Sequence, residues 1–230
     1  EYTAETSTAL FSVLDELGVS YIDMLEVFNK NGHLPEYSST IDNHYSIFGA
    51  LEIYNMLMNK INEDTGLNLH IMTEGDYTTT TLPNNYLGSR KRKLLGLWKS
   101  DEKMSIITPN ESIQFTRFNW GSETPGAPIV YSIPANETDD VLYSLYMGGD
   151  YSMTKIETNR PDLPTLLVYG DSFTNALESL IWYNLDTMYS LDFRYYSDMT
   201  LEEFIEKYKP DVVVCVRDYE QLINASFNGQ

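Results

Sequence analysis

Apolar residues recur at helical spacing over two stretches of the N-terminal part of the chain. The first runs from Leu10 to Leu17 and stops at Gly18, and a longer stripe from Ile47 to Ile61 ends near Gly66. Between them, residues 19–24 are typical of a strand in composition. The pattern therefore predicts helix, strand and helix, with a polar loop before the second helix.

The C-terminal third alternates between strand and helix patterns. Residues 165–169 form an apolar run, and a helical stripe follows over 173–181. A second strand is predicted within 187–196, a capping box at 200–203 opens a short helix, and 211–216 reads as a fully buried strand. Such alternation predicts a parallel sheet wound right-handedly, in a three-layer α/β/α, flavodoxin-like fold.

The middle of the chain has a different pattern, with short apolar runs separated by turn residues. We expect one domain over residues 1–230, carrying a β-rich insertion at about 88–159. A basic cluster, Arg90–Lys93, opens that stretch. A solvated surface or an internal counter-charge is the favoured interpretation of the cluster, and contact with an anionic ligand is the alternative.

Charge narrows the classes of partner. The 230 residues carry a net charge of −19, which disfavours nucleic acid and anionic membrane surfaces and suits a neutral or cationic glycan. No run approaches the ~20 apolar residues of a membrane span, and no export signal is visible, so we expect an upstream portion to have been removed. The single cysteine, Cys215, is expected to be a buried strand residue.

Candidate chemistry begins at Gly170-Asp171-Ser172, where the strand at 165–169 turns into a helix. A serine in such a turn has its hydroxyl exposed beyond the carboxyl end of a strand, and its amide lies where an oxyanion can be received. Ligand sites of open α/β sheets lie at this edge. The alternative is a capped helix start, with Asp171 or Ser172 as the cap.

A nucleophilic serine needs a base, and the chain has three histidines. Only His44 has a carboxylate, Asp42, two residues away, whereas His33 and His70 have none within two residues. Asp42 is placed to hold Nδ1 of the imidazole and leave Nε2 facing a serine. A polar loop that caps the next helix is the alternative, and a metal site is disfavoured because zinc needs three or four protein ligands.

These motifs carry a family resemblance. Gly170–Phe173 resembles the nucleophile block of SGNH (GDSL-type) hydrolases, and Asp42–Tyr45 with Gly49-Ala50 resembles the Asp-x-His-Trp block of a permuted branch. That branch includes alginate O-acetyltransferases and DHHW proteins. Leu145–Tyr151 is similar to a Gly-Gly segment of the DHHW proteins, and Lys209–Val214 fits the last core strand. Tyr45 stands where the family usually has Trp.

The resemblance implies an SGNH-like fold and a Ser172–His44–Asp42 triad for acyl transfer. The implied enzyme is an acyl-ester hydrolase or O-acetyltransferase acting on acetylated cell-surface or extracellular glycan, without a cofactor or metal. Its expected location is extracellular or in the cell envelope. The alternative is a catalytically inactive glycan-binding or surface-assembly module, because the separate oxyanion blocks of ordinary SGNH enzymes have no clear counterpart.

The remaining groups of the predicted site are oxyanion donors and substrate-binding residues. The Ser172 amide is the first expected oxyanion donor, and the backbone of Gly148 and Gly149 is the candidate for the second. Tyr45, which preserves an aromatic wall, and Asp171 are the predicted substrate-binding residues.

Overall fold

The computed structural model describes residues 2–30, 32, 34–95, 97–119, 126–131, 133–222 and 226–230. Its helices alternate with strands in the C-terminal half. The α-helices are α1 (Tyr2–Leu17), α2 (Met24–Lys30), α3 (Ile47–Thr65), α4 (Ser89–Lys93), α5 (Thr174–Ile181), α6 (Leu201–Tyr208) and α7 (Tyr219–Leu222). Short 3₁₀ helices cover Pro35–Tyr37, Tyr143–Leu145 and Trp182–Asn184.

The strands form one central sheet and two small pairs. They are β1 (Tyr77–Thr81), β2 (Asn85–Tyr86), β3 (Ser105–Pro109), β4 (Thr116–Asn119), β5 (Asp140–Val141), β6 (Met153–Glu157), β7 (Thr165–Gly170), β8 (Thr187–Leu191) and β9 (Val212–Val216). The central sheet has the order β4-β6-β8-β7-β9, in which β8, β7 and β9 run parallel while β6 and β4 pair antiparallel.

Strand β7 lies inside this sheet and is covered on both faces. Leu166 and Val168 belong to the core shared with α3 and α5, whereas Leu167 packs with Phe204 of α6 on the opposite side. Because successive strand residues point to opposite faces, this division produces three layers, α/β/α. The predicted fold class is confirmed.

Helix α3 is fixed at both ends by its own sequence. The Ser46 hydroxyl accepts the amides of Phe48 and Gly49, and Gly66 closes the helix in the left-handed region at φ 74°. The predicted apolar stripe between Ile47 and Ile61 faces the core. Helix α3 packs against α5, so the segments just before these two helices are brought together.

Two expectations were wrong. Residues 19–23 form no strand, because the Asp23 carboxylate accepts the amides of Leu25 and Glu26 and starts α2 instead. The strand at 211–216 exists, but it is not fully buried. It is an edge strand with β7 as its one neighbour in the sheet, so Val213 and Cys215 are exposed.

The stretch from 88 to 159 contributes to several parts of the structure. Its strands β4 and β6 extend the central sheet, β3 pairs antiparallel with β1, and β5 pairs with β2. The division of the chain into one domain with an insertion stays a prediction. Within the described residues, no helix combines the length and the apolar character needed to cross a bilayer.

Candidate active site

Ser172 lies in the turn between β7 and α5. The turn needs glycine at position 170, because a Cβ there would come within 1.9 Å of the Val216 carbonyl oxygen and 2.8 Å of Thr174 Cγ2. Ser172 is half-buried, at the carboxyl edge of the parallel strands. The sequence-predicted nucleophile therefore lies where ligand sites of such sheets are found.

Asp171, rather than Ser172, organises the start of the helix. Its Oδ1 accepts the Phe173 amide at 3.0 Å, and its carbonyl oxygen accepts the Thr174 amide at 2.9 Å. The side chain is 6% exposed, and this burial raises its pKa. Because Asp171 accepts the amide bonds of this turn, the Ser172 hydroxyl is available for a different partner. The substrate-binding role predicted for Asp171 stays a prediction.

Asp42 and His44 lie in a tight loop just before α3. The Ser39 hydroxyl accepts the Ile41 and Asp42 amides at 3.2 and 3.0 Å. The His44 amide in turn donates to Asp42 Oδ1 at 3.0 Å. Hydrogen bonds within the loop therefore orient Asp42 and His44, without a contribution from the serine turn.

The Asp42 carboxylate is buried, and both of its oxygens accept hydrogen bonds. Its Oδ1 receives His44 Nδ1 at 2.6 Å as well as the His44 amide, and its Oδ2 receives the Ser89 amide at 2.7 Å. Burial acts to raise the pKa of Asp42, but the hydrogen bonds from His44 and Ser89 outweigh it and hold the pKa well below its ordinary value. The side chain is therefore an anion at neutral pH.

The histidine joins this anion to the serine. An ionised carboxylate only accepts hydrogen bonds, so Nδ1 of His44 carries the proton in its bond to Asp42. Nε2, which is the acceptor nitrogen in that tautomer of the neutral imidazole, faces Ser172 Oγ at 2.8 Å, despite a separation of 128 positions in the sequence. Asp42, His44 and Ser172 thus form a continuous chain of hydrogen bonds with the acceptor at Nε2 pointing at the hydroxyl.

Aromatic rings enclose the imidazole. His44 stacks on Tyr143, with ring centroids 3.8 Å apart and planes 4° from parallel, and Phe173 contacts it at 4.9 Å. The Tyr45 hydroxyl donates to the carbonyl of Phe173, and the two rings lie 5.9 Å apart. Tyr45 therefore bridges the histidine loop and the serine turn. Its predicted contact with substrate stays a prediction.

The Gly148-Gly149 segment is a left-handed loop tied to α5. Gly148 and Gly149 have φ of 80° and 94°, and a Cβ on Gly148 would approach the Tyr131 ring to 2.6 Å. The Gly149 amide donates to the Tyr146 carbonyl at 3.2 Å. Asp150 accepts Asn175 Nδ2 at 2.9 Å, which links the loop to the helix that follows Ser172. The oxyanion role of both glycines stays a prediction.

Two buried charged side chains, Glu178 and Arg117, bond to residues near the serine turn and the glycine loop. Glu178 of α5 is 3% exposed and accepts hydrogen bonds from the hydroxyls of Thr174 and Ser190, the latter at 2.7 Å. Burial raises the pKa of Glu178. The fully buried Arg117 donates to the Met147 carbonyl at 2.5 Å and so holds the start of the glycine loop.

The sequence did not point to two residues that shape the site. Ser89 supplies an amide to Asp42 from 47 positions away, and Tyr143 stacks on His44 from a distant part of the chain. A tight approach does mark the Ser89 contact, since a Cβ on Gly88 would lie 2.3 Å from the Ile41 carbonyl oxygen. Such proximity has no signature in a single sequence.

His70, the other histidine that the structure describes, has a different carboxylate partner. His70 pairs with Asp76 at 3.1 Å on the surface, and His33 falls outside the described residues. Across the residues that the structure covers, no group of three or more His, Cys, Asp or Glu side chains is arranged to hold a metal ion.

The chain shares its fold with solved structures. Two structures of Bacillus cereus PatB1 superpose on it at 22% identity: the one with a sulfonyl adduct has a TM-score of 0.77 and covers 92% of this chain and 72% of that chain, and the other has 0.76 with 92% and 73%. A DHHW family protein from Eubacterium siraeum has a TM-score of 0.70 at 18% identity, covering 92% and 68%.

These likenesses confirm that the chain has the fold of PatB1 and of the DHHW family protein, as the motif resemblance implies. At such identities they establish the fold alone. No protein-family model matches the chain, and neither does any curated protein.

Proposed function

We propose that the chain is a serine-dependent acyl-ester hydrolase or O-acetyltransferase that acts on O-acetylated glycan. The observation that supports this most directly is the hydrogen-bonded series from Asp42 through His44 to Ser172, at 2.6 and 2.8 Å. Ser172 is the nucleophile, His44 the general base and Asp42 the group that orients and stabilises the imidazole. Acetyl as the acyl group comes from the motif resemblance.

The proposed reaction has two acyl-transfer steps. Ser172 Oγ attacks the ester carbonyl carbon while His44 Nε2 takes the hydroxyl proton, and the protonated imidazole then gives that proton to the departing alcohol oxygen. The acyl-enzyme next transfers its acyl group to water or to a sugar hydroxyl. Water gives an esterase and a glycan acceptor gives a transferase, with the same three residues in either case.

The negative charge on the tetrahedral intermediate needs donors beside Ser172. The amides of Phe173 and Thr174 already donate to Asp171, so the Ser172 amide is the donor we propose within this turn. One such donor is worth on the order of 3 kcal/mol in transition-state stabilisation. The second donor we propose is the Gly148-Gly149 backbone. The Gly149 amide would first have to release the Tyr146 carbonyl.

The substrate class follows from charge and from the motif resemblance. A chain with a net charge of −19 is more compatible with neutral or cationic sugars than with polyanions. We place the protein outside the cell or in the cell envelope, where such acetylated glycans are exposed.

Covalent labelling tests the proposal before any natural substrate is known. One PatB1 structure contains a sulfonyl adduct, so a sulfonyl fluoride is a suitable probe, and a chromogenic acetyl ester reports turnover. We expect the wild-type protein to be labelled once per chain at Ser172, with loss of ester hydrolysis. Ser172→Ala should remove labelling and nearly all turnover. The exposed Ser144→Ala serves as the matched control and should behave as wild type.

The opposite result would favour the binding-module alternative. If the acetyl ester is turned over equally by wild type and Ser172→Ala, the serine is a structural turn residue. If neither protein turns over the ester and wild type is not labelled, the folded triad is inactive, and binding of acetylated glycan without turnover becomes the function to measure.

A further inference from the structure

The two most exposed large apolar side chains of the described residues, Leu95 and Leu97, lie in a short stretch with two further exposed apolar residues. Leu95 and Leu97 are 88% and 85% exposed, and Leu94 and Trp98 are 48% and 53% exposed. We refer to these four residues as the apolar tip. Leu95 also has a left-handed φ of 51°, a conformation that costs a leucine about 1–2 kcal/mol. Concentrated apolar exposure of this kind marks an interaction site rather than ordinary surface.

Basic residues flank the apolar tip in the sequence. Residues 89–99 contain five of the chain's 15 basic residues and no acidic residue, in a protein with 34 acidic residues. Arg92, Lys93 and Lys99 are exposed. The rest of the chain is therefore even more negative than its total charge indicates. An anionic surface would repel the net negative remainder of the chain and attract this segment, which favours an approach through residues 89–99.

Helix α4, which directly precedes the apolar tip, is attached to the loop that carries Asp42. The Ser89 amide donates to Asp42 Oδ2 at 2.7 Å, and the Arg90 and Lys91 amides donate to the Ile41 carbonyl at 3.0 and 3.1 Å. The Arg90 side chain also donates to the Ser39 carbonyl. The short helix α4 is thus anchored on the triad loop while its C-terminal end projects the apolar tip outward.

We propose that the apolar tip and its cations dock the protein on an anionic lipid bilayer. Leucine and tryptophan side chains partition into the headgroup region while flanking Lys and Arg contact lipid phosphates. Four side chains are too few for a stable protein interface, which takes about 20–30 residues a side. A symmetric contact between two copies would also bring five cations against five. Docking here would hold the triad loop next to the membrane.

Vesicle co-sedimentation tests the proposal and does not depend on the proposed function. We expect binding to vesicles of phosphatidylcholine with phosphatidylglycerol, weakening as salt is raised, and little binding to phosphatidylcholine alone. Loss of one cation should weaken binding about fivefold, so the double variant Arg92→Gln with Lys93→Gln should weaken it about 30-fold. Leu95→Ser, Leu97→Ser and Trp98→Ser together should weaken it at least ~10-fold. Tryptophan emission should shift to the blue on binding, and Trp98→Phe should remove the shift.

The control makes one change of each kind elsewhere in the chain. Leu17→Ser with Lys207→Gln alters an exposed leucine and an exposed lysine outside the 89–99 segment and should bind as wild type. Failure of the wild-type protein to bind phosphatidylglycerol vesicles at low salt would overturn the proposal. So would a wild-type dimer that the triple substitution converts to a monomer, since the apolar tip would then be an interface between copies.

Discussion

Replacing Asp42 by asparagine would remove the charge behind His44 while keeping the shape of the side chain. The carboxylate accepts three N–H groups, two on Oδ1 from His44 and one on Oδ2 from the Ser89 amide. A carboxamide has one acceptor oxygen and one NH₂ group, so it cannot satisfy both sides.

Each of the two orientations of the substituted carboxamide has a definite cost. With the oxygen toward His44, the useful tautomer is kept, but the Ser89 amide loses its acceptor. With the oxygen toward Ser89, the His44 amide loses its acceptor and the imidazole is driven to carry its proton on Nε2, where it cannot accept one from Ser172. Either way one buried N–H is unsatisfied, which costs about 1–3 kcal/mol of folding stability. The wrong tautomer lowers turnover on the order of 10⁴-fold in a serine protease.

We therefore expect Asp42→Asn to lower kcat/KM on an acetyl ester by roughly 10²- to 10⁴-fold and the free energy of unfolding by about 1–3 kcal/mol. Asp76→Asn is the matched control. Asp76 also accepts a backbone amide, that of Thr73 at 2.7 Å, and pairs with a histidine at 3.1 Å, but these partners, Thr73 and His70, are outside the proposed triad. The kcat/KM of Asp76→Asn on the acetyl ester should be unchanged.

The pH dependence of stability gives a second readout. The folded pKa of Asp42 lies below its unfolded value of about 4, so its stabilisation is fully present above pH ~4 and is lost as pH falls through the folded pKa. The stability gap between wild type and Asp42→Asn should thus be widest near neutral pH and narrow in acid. Wild-type turnover by Asp42→Asn, or an equal loss in Asp76→Asn, would refute this account of the triad.

Three further predictions concern other residues. His44→Ala should lower ester turnover about as much as Ser172→Ala does, and the double variant should lower it little further, because the two residues act as a unit. His70→Ala is the control and should keep full activity in the same kinetic assay. Burial raises the pKa of Glu178 in the folded protein. The wild-type protein should therefore lose stability relative to Glu178→Gln as the pH rises from the unfolded pKa of about 4.3 through the folded pKa. Urea unfolding at several pH values measures this, and the absence of the trend would show that Glu178 is solvated. Gly170→Ala should destabilise by at least about 1–3 kcal/mol because of its contact with the Val216 carbonyl, whereas Gly75→Ala, with open space around its Cβ, should be nearly neutral in the same unfolding assay.

Features coded by short stretches were predictable from the sequence. The start of α6 is a clear case, because Thr200 and Glu203 form the predicted capping box there. The strand before Ser172 and the helix that ends at Gly66 depend in the same way on local periodicity and turn chemistry. The Asp-x-His spacing was informative because two residues allow the Asp42 carboxylate to reach Nδ1 of the histidine in the same loop.

Features that depend on distant partners were not predictable. Residues 19–24 resemble a strand in composition, yet the hydrogen bonds of the Asp23 carboxylate favour a helix from Met24. Cys215 sits in an apolar run that suggests burial, but the position of β9 at the sheet edge is a property of the whole topology. The Ser89 amide and the Tyr143 ring reach the triad loop only through tertiary packing.

The two halves of the candidate site are each fixed locally but meet through the core. Ser39 and Asp42 shape the histidine loop, and Asp171 shapes the serine turn, each with bonds inside its own segment. The two segments touch through the His44–Ser172 bond and through the approach of His44 and Tyr45 to Phe173. Helices α3 and α5, which begin just after these segments, pack against each other. The spacing between base and nucleophile is therefore set by that helix packing, and the two motifs alone do not determine it.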